Sequence, residues 1–231
     1  MKTLMVTGTD TNVGKTWVTC VLLRQLRQQG VSVGAYKPVC SGAVRGDDGV
    51  FHWDDIDQLS TAIGGQHPVD VICPQRFLSA VAPNFAAVLD GRRVDDALLS
   101  VGLQNWDGLA DFVIVEGAGG LMCPLSDSTT VADLAVRLGS PVLIVAANRL
   151  GVINHTLLTV DGAIRRGLRV AGVVLNDCQP VCGTDDASTD SNAQQLAHWL
   201  NNIPLYRCAW GKTHIEPVGD HSEFLLVNAF R

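Results

Sequence analysis

The sequence is poor in positive charge. It carries 17 lysines and arginines against 23 aspartates and glutamates, which gives a formal net charge of −6. A general nucleic-acid-binding protein presents a basic face, so this composition argues against nucleic acid as a partner. An anionic ligand would have to be held by a few lysines and by backbone N–H groups.

Long apolar runs and leader patterns are also lacking. No apolar run approaches the roughly 18 residues that cross a membrane, and the N-terminus leads straight into a short apolar segment without a signal-peptide pattern. The seven cysteines include no C-x-x-C pair, which argues against a structural zinc site. Reduced, mostly buried thiols are the simpler interpretation. We therefore expect a cytoplasmic protein with no membrane partner.

Segments of strand length and helix length alternate along the whole chain. With 47% hydrophobic residues over 231 positions, the chain can bury a full core, and no repeat or long linker divides it. This alternation predicts one α/β domain over residues 1–231, built on an open, mostly parallel sheet with helices on both faces. The expected strands are 4–6, 31–36, 111–115, 141–147, 168–175, 203–206 and 224–227; the expected helices are one ending near 30, one starting at 53, 85–89, 95–104, 130–138, one ending near 166, and 191–200; loops are expected at 43–52 and 179–192.

Residues 8–16, which read GTDTNVGKT, lie between a predicted strand and a predicted helix. A phosphate-binding loop requires this context, because N–H groups of the loop and of the helix start converge on one anion. Lys15 would reach the β- and γ-phosphates, and the hydroxyl of Thr16 would ligate Mg²⁺. Gly8 stands one residue earlier than the first glycine of the usual G-x-x-x-x-G-K-[ST] spacing. A plain turn before a helix is the alternative, and we favour phosphate binding.

Two other predicted strands end in charged residues. Strand 31–36 leads into Lys37 and a proline, and strand 111–115 leads into Glu116 and a glycine-rich turn. Ligand-contacting residues of an open parallel sheet cluster at the carboxyl ends of its strands, and a carboxylate in the position of Glu116 is typical of a motif that approaches Mg²⁺. The alternatives are a solvated surface lysine and an incidental glutamate. Three aspartates between 54 and 57 are explained by the helix dipole alone.

The helix that ends near 166 follows a polar segment. Gly151 and Asn154 could cap this helix and leave N–H groups free for a carboxylate. His155 by itself is better explained as a structural residue.

Several separated motifs together resemble the dethiobiotin synthetase family. The matching segments are 6–16, 36–42, 115–120, 124–127, 150–155 and 176–177, so the similarity runs from the N-terminus to about residue 177. The resemblance implies a single-domain P-loop NTPase fold. It also implies a ligase of biotin biosynthesis that uses ATP and Mg²⁺ to join CO2 or bicarbonate to 7,8-diaminononanoate. In this family a substrate amine becomes a carbamate, the carbamate attacks the γ-phosphate to give a mixed carbamic–phosphoric anhydride, and the second amine closes a cyclic urea.

The resemblance assigns a role to each matching residue. Asp55 is chosen as the acidic Mg²⁺ ligand of its helix because it lies four residues before Leu59, as in the family pattern. The implied catalytic residues are Thr11, Lys15, Lys37 and Ser41, and the implied Mg²⁺ ligands are Thr16, Asp55 and Glu116. The implied ATP contacts are Asn12, Val13, Gly14, Lys15, Thr16, Val18, Asp55, Glu116, Gly117, Ala118, Gly119, Asn176, which would read the adenine edge, and Asp177. The implied substrate contacts are Thr11, Lys37, Ser41, Gly151, Val152 and Asn154, the last three from the neighbouring subunit of a homodimer.

The chain departs from the family pattern in three places. Residues 82–84 read APN where the family usually has SPH, residues 207–210 read RCAW where many members have a G-x-I-P segment, and the 179–192 loop lacks a tyrosine. These changes leave open which nucleotide the protein prefers and how it holds the substrate tail. A paralogue acting on another amine or acid is therefore an alternative. A partitioning-type nucleotide-switch ATPase is another, although those proteins carry an extra lysine early in the loop, where this chain has a threonine and an aspartate.

Overall fold

The computed structural model describes residues 1–179 and 188–219. Short connections join its elements, and most strand residues are fully buried. In chain order the elements are β1 (Lys2–Gly8), α1 (Lys15–Gln28), β2 (Val33–Tyr36), β3 (Cys40–Ser41), β4 (Val44–Arg45), β5 (Phe51–His52), α2 (Asp54–Ile63), α3 (Val69–Ile72), β6 (Arg76–Phe77), α4 (Pro83–Leu89), α5 (Leu98–Val101), a 3-10 turn (Gly102–Trp106), β7 (Phe112–Gly120), α6 (Val131–Leu138), β8 (Val142–Ala147), α7 (Val152–Arg165), β9 (Val170–Asn176), α8 (Ser188–Trp199), β10 (Leu205–Cys208) and β11 (Glu216–Pro217).

A seven-stranded sheet in the order β11-β10-β9-β8-β1-β7-β2 forms the centre of the fold. Its pairings are parallel, except that β11 runs antiparallel to β10 at the edge. From β1 the chain moves through α1 to β2 on one side, whereas from β7 it moves through α6 to β8 on the other. Right-handed crossovers in opposite directions place their helices on opposite faces. The expected α/β fold, an open and mostly parallel sheet with helices on both faces, is therefore confirmed.

The strand order puts the end of β1 at a switch point. β1 lies between β7 and β8, and the chain leaves its neighbourhood in opposite directions on the two sides. Open α/β sheets bind ligands in the crevice at such a point, outside the carboxyl ends of the strands. The loop over residues 8–16 starts at this crevice.

The register of β2 against β7 brings two charged residues together. Tyr36 pairs with Val115, so the next residue on each strand, Lys37 and Glu116, lies at the same level. β1 pairs Val6 with Glu116 on the other side. Two residues 79 positions apart in sequence thus become neighbours because parallel strands end together.

The helical and strand predictions were wrong in detail at several short elements and at the ends of two longer ones. Segment 43–52 is not a plain loop but contains the β4–β5 antiparallel hairpin, and the β3–β6 ladder and α3 were not expected. The expected 95–104 helix is one turn of α-helix followed by a 3-10 turn. β7 continues to Gly120 rather than ending at 115, and α8 begins at Ser188 instead of 191. The predicted strand at 224–227 lies outside the described residues.

Over residues 1–179 and 188–219, no helix is both long enough and apolar enough to cross a bilayer.

Candidate active site

The loop between β1 and α1 owes its shape to close contacts with its own backbone. A Cβ on Gly8 would lie 2.7 Å from the carbonyl oxygen of Asp10, so the early glycine is required by the packing of the loop. Asn12 and Gly14 adopt positive φ angles of 58° and 84°, a region that glycine and asparagine tolerate best. The turn at Gly14 starts α1 and directs its first N–H groups toward the crevice, where the helix dipole favours an anion.

Asn176, at the end of β9, holds this loop from behind. Its side-chain Nδ2 donates a 2.9 Å hydrogen bond to the carbonyl of Val13, and a Cβ on Gly14 would lie only 2.1 Å from the same nitrogen. The side chain is 3% exposed. Its Oδ1 is also buried, and it accepts no hydrogen bond within residues 1–179 and 188–219. This acceptor next to the loop is therefore left without a partner among the described residues.

Lys37 lies at the centre of a charged cluster beside the loop. Its Nζ donates to Oδ2 of Asp55 and to Oε1 of Glu116, each at 2.6 Å. The hydroxyl of Thr16 lies 2.8 Å from Oδ1 of Asp55 and 2.9 Å from Oε1 of Glu116, within donating distance of both. Lys37 is 3% exposed, so it is not the solvated surface lysine that was the alternative interpretation of the sequence.

The electrostatics of the cluster keep it charged. Burial alone lowers the pKa of Lys37, but the negative charges of Glu116 and Asp55 outweigh burial and hold that pKa well above its ordinary value. Burial alone likewise raises the pKa of Asp55, yet the charge of Lys37 and hydrogen bonds from Lys37 and Thr16 bring it below the ordinary value. Lys15 lies nearby, and its pKa is lowered by burial first, with the charge of Lys37 contributing. The charges of Lys37 and Asp55 thus stabilise each other.

The oxygen atoms of this cluster suit Mg²⁺. In the described part of the chain, no group of three or more His, Cys, Asp or Glu side chains could hold a metal by itself. Mg²⁺, however, is usually held by one or two carboxylates together with phosphate oxygens and water. Thr16, Asp55 and Glu116 supply such a set, and Oε2 of Glu116 is buried with no hydrogen-bond partner among the described residues. The donor set therefore fits a metal that arrives with a phosphate.

A cleft of about 630 Å³ opens over the loop and this cluster. Ser41 lies in its wall, and its Oγ donates a 2.7 Å hydrogen bond to the carbonyl of Val81. Thr11, on the loop, also lines the cleft. The predicted site residues that line the cleft are Thr11, Asn12, Gly14, Lys15, Thr16, Lys37, Ser41, Asp55, Ala118 and Gly119.

Known proteins with similar sequences decide the family. A family model described as an AAA domain matches residues 2–205. The chain is 40% identical over 225 residues to the ATP-dependent dethiobiotin synthetase BioD of Anaeromyxobacter sp. (strain Fw109-5), covering 97% of this chain and 96% of that protein. It is 37% identical over 215 residues to the protein of the same name from Caulobacter sp. (strain K31), with 92% and 90% covered. The chain belongs to the dethiobiotin synthetase family.

Solved structures support the fold alone. Chloroplast FtsY from Physcomitrella patens matches with a TM-score of 0.53 and 14% identity over 99% of this chain and 64% of that one. The signal recognition particle receptor FtsY from Elizabethkingia anophelis matches with a TM-score of 0.50 and 17% identity, covering 100% and 65%. These proteins share the arrangement of the sheet and helices with this chain.

Some residues that the family resemblance assigned lie elsewhere. The side chain of Val18 is fully buried in the core and does not line the cleft. A Cβ on Gly117 would lie 2.8 Å from Val131 of α6, which makes this glycine a packing residue between β7 and a helix. The carboxylate of Asp177 accepts hydrogen bonds from Asn148 and Arg207, so it ties β9 to its neighbours instead of facing the cleft.

The segment at the start of α7 is separate from the cleft of its own chain. Gly151 is the N-cap of α7 with a φ of 91° and no side-chain cap, Val152 is buried, and Asn154 is exposed. None of the three lines the cleft described above.

Sequence reasoning missed part of the cleft wall. The segment 80–83, which connects β6 to α4, forms one side, and it had been noticed only as a departure from the family pattern. Trp17, which lies within a predicted helix, was not predicted to be a site residue. The further lining residues are Trp17, Cys40, Gly42, Gln58, Ala80, Val81, Ala82, Pro83 and Cys123.

Proposed function

We propose that this protein is an ATP-dependent dethiobiotin synthetase that closes a cyclic urea from CO2 and 7,8-diaminononanoate. The observation that carries the proposal is the buried Lys37, held 2.6 Å from both Asp55 and Glu116 beside a phosphate loop. The relatives named above bear the same activity in their names. A protein that only bound nucleotide would not need a second buried lysine at the wall of the cleft.

The chemistry needs charge to be neutralised as phosphate is transferred. One amine of the substrate adds to CO2 and loses a proton, giving a carbamate. A carbamate oxygen attacks the γ-phosphorus and ADP leaves. The second amine then attacks the carbamoyl carbon and loses a proton, and the ring closes. Inorganic phosphate leaves with the carbamate oxygen that had attacked the γ-phosphorus.

Each of these side chains has a role in the reaction steps. Lys15 holds the phosphate chain, and Lys37 lies where negative charge builds on the carbamate and the moving phosphoryl group. Thr11 and Ser41 hold the carbamate end of the substrate by hydrogen bonds. Thr16, Asp55 and Glu116 would hold Mg²⁺, which would neutralise phosphate charge when bound.

The nucleotide contacts follow the loop. Asn12 to Thr16 surround the phosphates with N–H groups, with Val13 among them, and Ala118 and Gly119 close the opposite side. Asn176 offers Oδ1 to an exocyclic amine of the base, since its Nδ2 is used by the loop.

We also propose a homodimer in which the start of α7 serves the neighbouring cleft. Gly151 and Asn154 would present N–H groups of a helix start to the substrate carboxylate. Leu150 and Leu158, 79% and 63% exposed, flank this segment and would be covered by the partner. The test is sedimentation of wild type against Leu158→Asp, which should shift the protein toward monomer if the dimer uses this face.

ADP release tests the proposed reaction. Turnover by purified protein with ATP and Mg²⁺ should require bicarbonate and the diamine together, and mass spectrometry should find dethiobiotin. If the diamine fails to stimulate ADP release, the proposal is wrong. If a different vicinal or terminal amine replaces it, the paralogue alternative, favoured by the APN sequence at residues 82–84, is correct.

A further inference from the structure

A second cavity has no part in the chemistry proposed above. It is lined by residues in and around β6, by the N-cap residue of α2, and by the C-terminal end of α4 with the residues that follow. Its volume is about 610 Å³, within the range of roughly 300–1,000 Å³ that is typical of small-molecule sites. No residue lines both this cavity and the cleft. The two are therefore separate places for a ligand.

Arg92 is a fixed cation in the lining of this cavity. Its guanidinium carbon lies 5.0 Å from the centre of the Phe77 ring, and Nη1 donates a 3.3 Å hydrogen bond to the carbonyl of Arg76. Among residues 1–179 and 188–219 it forms no ion pair. A guanidinium carries five N–H donors in a planar fork that matches a carboxylate. Most donors of Arg92 are therefore unused by the described residues, and the ring contact holds the fork in place.

The other charges of the lining favour a single negative charge on the ligand. Arg76 also lines the cavity, and it pairs at 2.7 Å with Asp70, which is 79% exposed and lies outside the lining. Water therefore screens that pair. Asp90 is the acidic residue of the lining, and its Oδ2 accepts a 2.9 Å hydrogen bond from the backbone N–H of Leu78. Two guanidinium groups and one carboxylate in the lining leave one positive charge for a ligand to balance.

The rest of the lining is apolar. The indole Nε1–H of Trp53 donates a 3.0 Å hydrogen bond to the carbonyl of Phe77, so the ring offers the cavity only its apolar surface. Pro74, Leu78 and Leu89 complete this wall, and the two leucines are 42% and 55% exposed. An apolar ligand body would remove these side chains from water, which favours binding.

We propose that this cavity binds a small monocarboxylate with an apolar body. Arg92 holds the carboxylate through its fork, Arg76 adds positive charge, and the apolar wall covers the body of the ligand. A phosphate monoester carries nearly two negative charges near neutral pH, which suits a lining that contains Asp90 less well. The site does not depend on the proposed ligase reaction, because none of its residues lines the cleft.

Octanoate is a suitable probe, since it joins one carboxylate to a short apolar chain. Uniformly ¹⁵N-labelled wild type is titrated with octanoate, and the indole N–H signals are followed by NMR. Trp53 reports on this cavity and Trp17 on the cleft, and the variants Trp53→Phe and Trp17→Phe assign the two signals. The Trp53 signal should shift in a saturable way while the Trp17 signal stays in place. Octylamine, which has a positive charge on the same chain, should leave the Trp53 signal unchanged.

Two neighbouring arginines provide a matched pair of variants. Arg92→Gln removes the fork, and because hydrogen bonds to charged groups are among the stronger ones, octanoate affinity should fall about 10-fold or more. Arg92→Lys keeps the charge without the fork and should fall between Arg92→Gln and wild type. Arg93→Gln is the control: Arg93 is 87% exposed, lies 3.8 Å from Asp127 and is outside the lining. It should bind octanoate as wild type does.

Several outcomes would overturn the proposal. They are an unmoved Trp53 signal, a shift of the Trp17 signal alone, an equal response to octylamine, and equal affinities of Arg92→Gln and Arg93→Gln. Inorganic phosphate that moves the Trp53 signal as far as octanoate does would also overturn it, because the apolar wall would then select nothing. Should Arg92→Gln not fold, Leu89→Asp carries the same test, since it adds a negative charge to the cavity and should abolish octanoate binding.

Discussion

Replacement of Lys37 gives the strongest prediction, because this lysine is buried between two carboxylates. Replacing it by alanine leaves Asp55 and Glu116 facing each other without a counter-charge. Breaking a buried ion pair in this way typically costs 3–5 kcal/mol. The side chain of Asp55 is 41% exposed, whereas that of Glu116 is fully buried. Because water screens the charge of Asp55, we expect the substitution to cost about 3 kcal/mol, at the lower end of that range.

The assay is thermal unfolding with and without Mg²⁺. For a protein of this size 1 kcal/mol corresponds to roughly 2–4 °C in Tm, so without metal Lys37→Ala should melt roughly 6–12 °C lower than wild type. In wild type the ammonium group occupies Oδ2 of Asp55 and Oε1 of Glu116. A divalent cation would compensate the freed carboxylates in the variant, so Mg²⁺ should raise its Tm more than it raises that of wild type.

Two results would refute this reasoning. Equal Mg²⁺-induced shifts in both proteins would mean that the lysine and the metal do not share these oxygens. A Tm loss no larger than that of Lys212→Ala, which removes an exposed lysine, would mean that the ion pairs contribute nothing.

In kinetics, Lys37→Ala should mainly lower turnover while ATP affinity stays within a few-fold. A loss of ATP binding alone would contradict the role assigned to Lys37.

Three further predictions concern packing, the loop and pH. Gly34→Ala should destabilise the protein by roughly 1–3 kcal/mol, measured by urea unfolding, because the new Cβ would lie 2.4 Å from the ring of buried Trp106. Gly14→Ala should abolish tripolyphosphate binding in calorimetry, since its φ is 84° and its Cβ would collide with Asn176. Hydrogen bonds from two hydroxyl side chains and then an arginine lower the pKa of Asp96 to about 2, so its stabilising effect is present above about pH 4 and is lost as the pH falls through about 2. Asp96→Asn should therefore lower Tm at pH 7, with a deficit that vanishes toward pH 2.

The controls for these three use matched positions. Gly162→Ala places a Cβ in ordinary contact at 3.8 Å in α7, so it should be neutral or slightly stabilising. An equal loss of stability at this position would show that crowding is not the cause at Gly34, and an equal loss of tripolyphosphate binding would show the same for Gly14. Asp47→Asn removes an exposed aspartate. If its deficit followed pH as that of Asp96→Asn does, the local hydrogen bonds would not be responsible.

The parts of the site that could be predicted from sequence are those carried by long regular elements. The β1–loop–α1 unit has a strand, a glycine-bounded loop and a helix in one continuous segment. Lys37 and Glu116 could be placed together because parallel strands end at one edge. The general chemistry of the cleft follows from these pieces.

The remainder depends on tertiary packing. Among the aspartates at the start of α2, only the orientation of that helix makes Asp55 the one that reaches Lys37 at 2.6 Å. The family resemblance assigned Gly117 to ATP, but a Cβ at this position would lie 2.8 Å from the side chain of Val131. Two-residue strands such as β3 and β6 have no periodicity to detect. The helical position of Trp17 gives no sign that its ring faces a cleft.

Isotope transfer from CO2 to phosphate tests the central claim most directly. The enzyme is given ¹⁸O-labelled CO2 with ATP, Mg²⁺ and 7,8-diaminononanoate, and the released phosphate is analysed by mass spectrometry before CO2 exchanges its oxygen with water. If a carbamate oxygen attacks the γ-phosphorus, each phosphate carries one ¹⁸O from CO2, and only when the diamine is present. Phosphate that takes its oxygen from solvent water instead would contradict the account, because the cleft would then hydrolyse ATP without activating a carbamate.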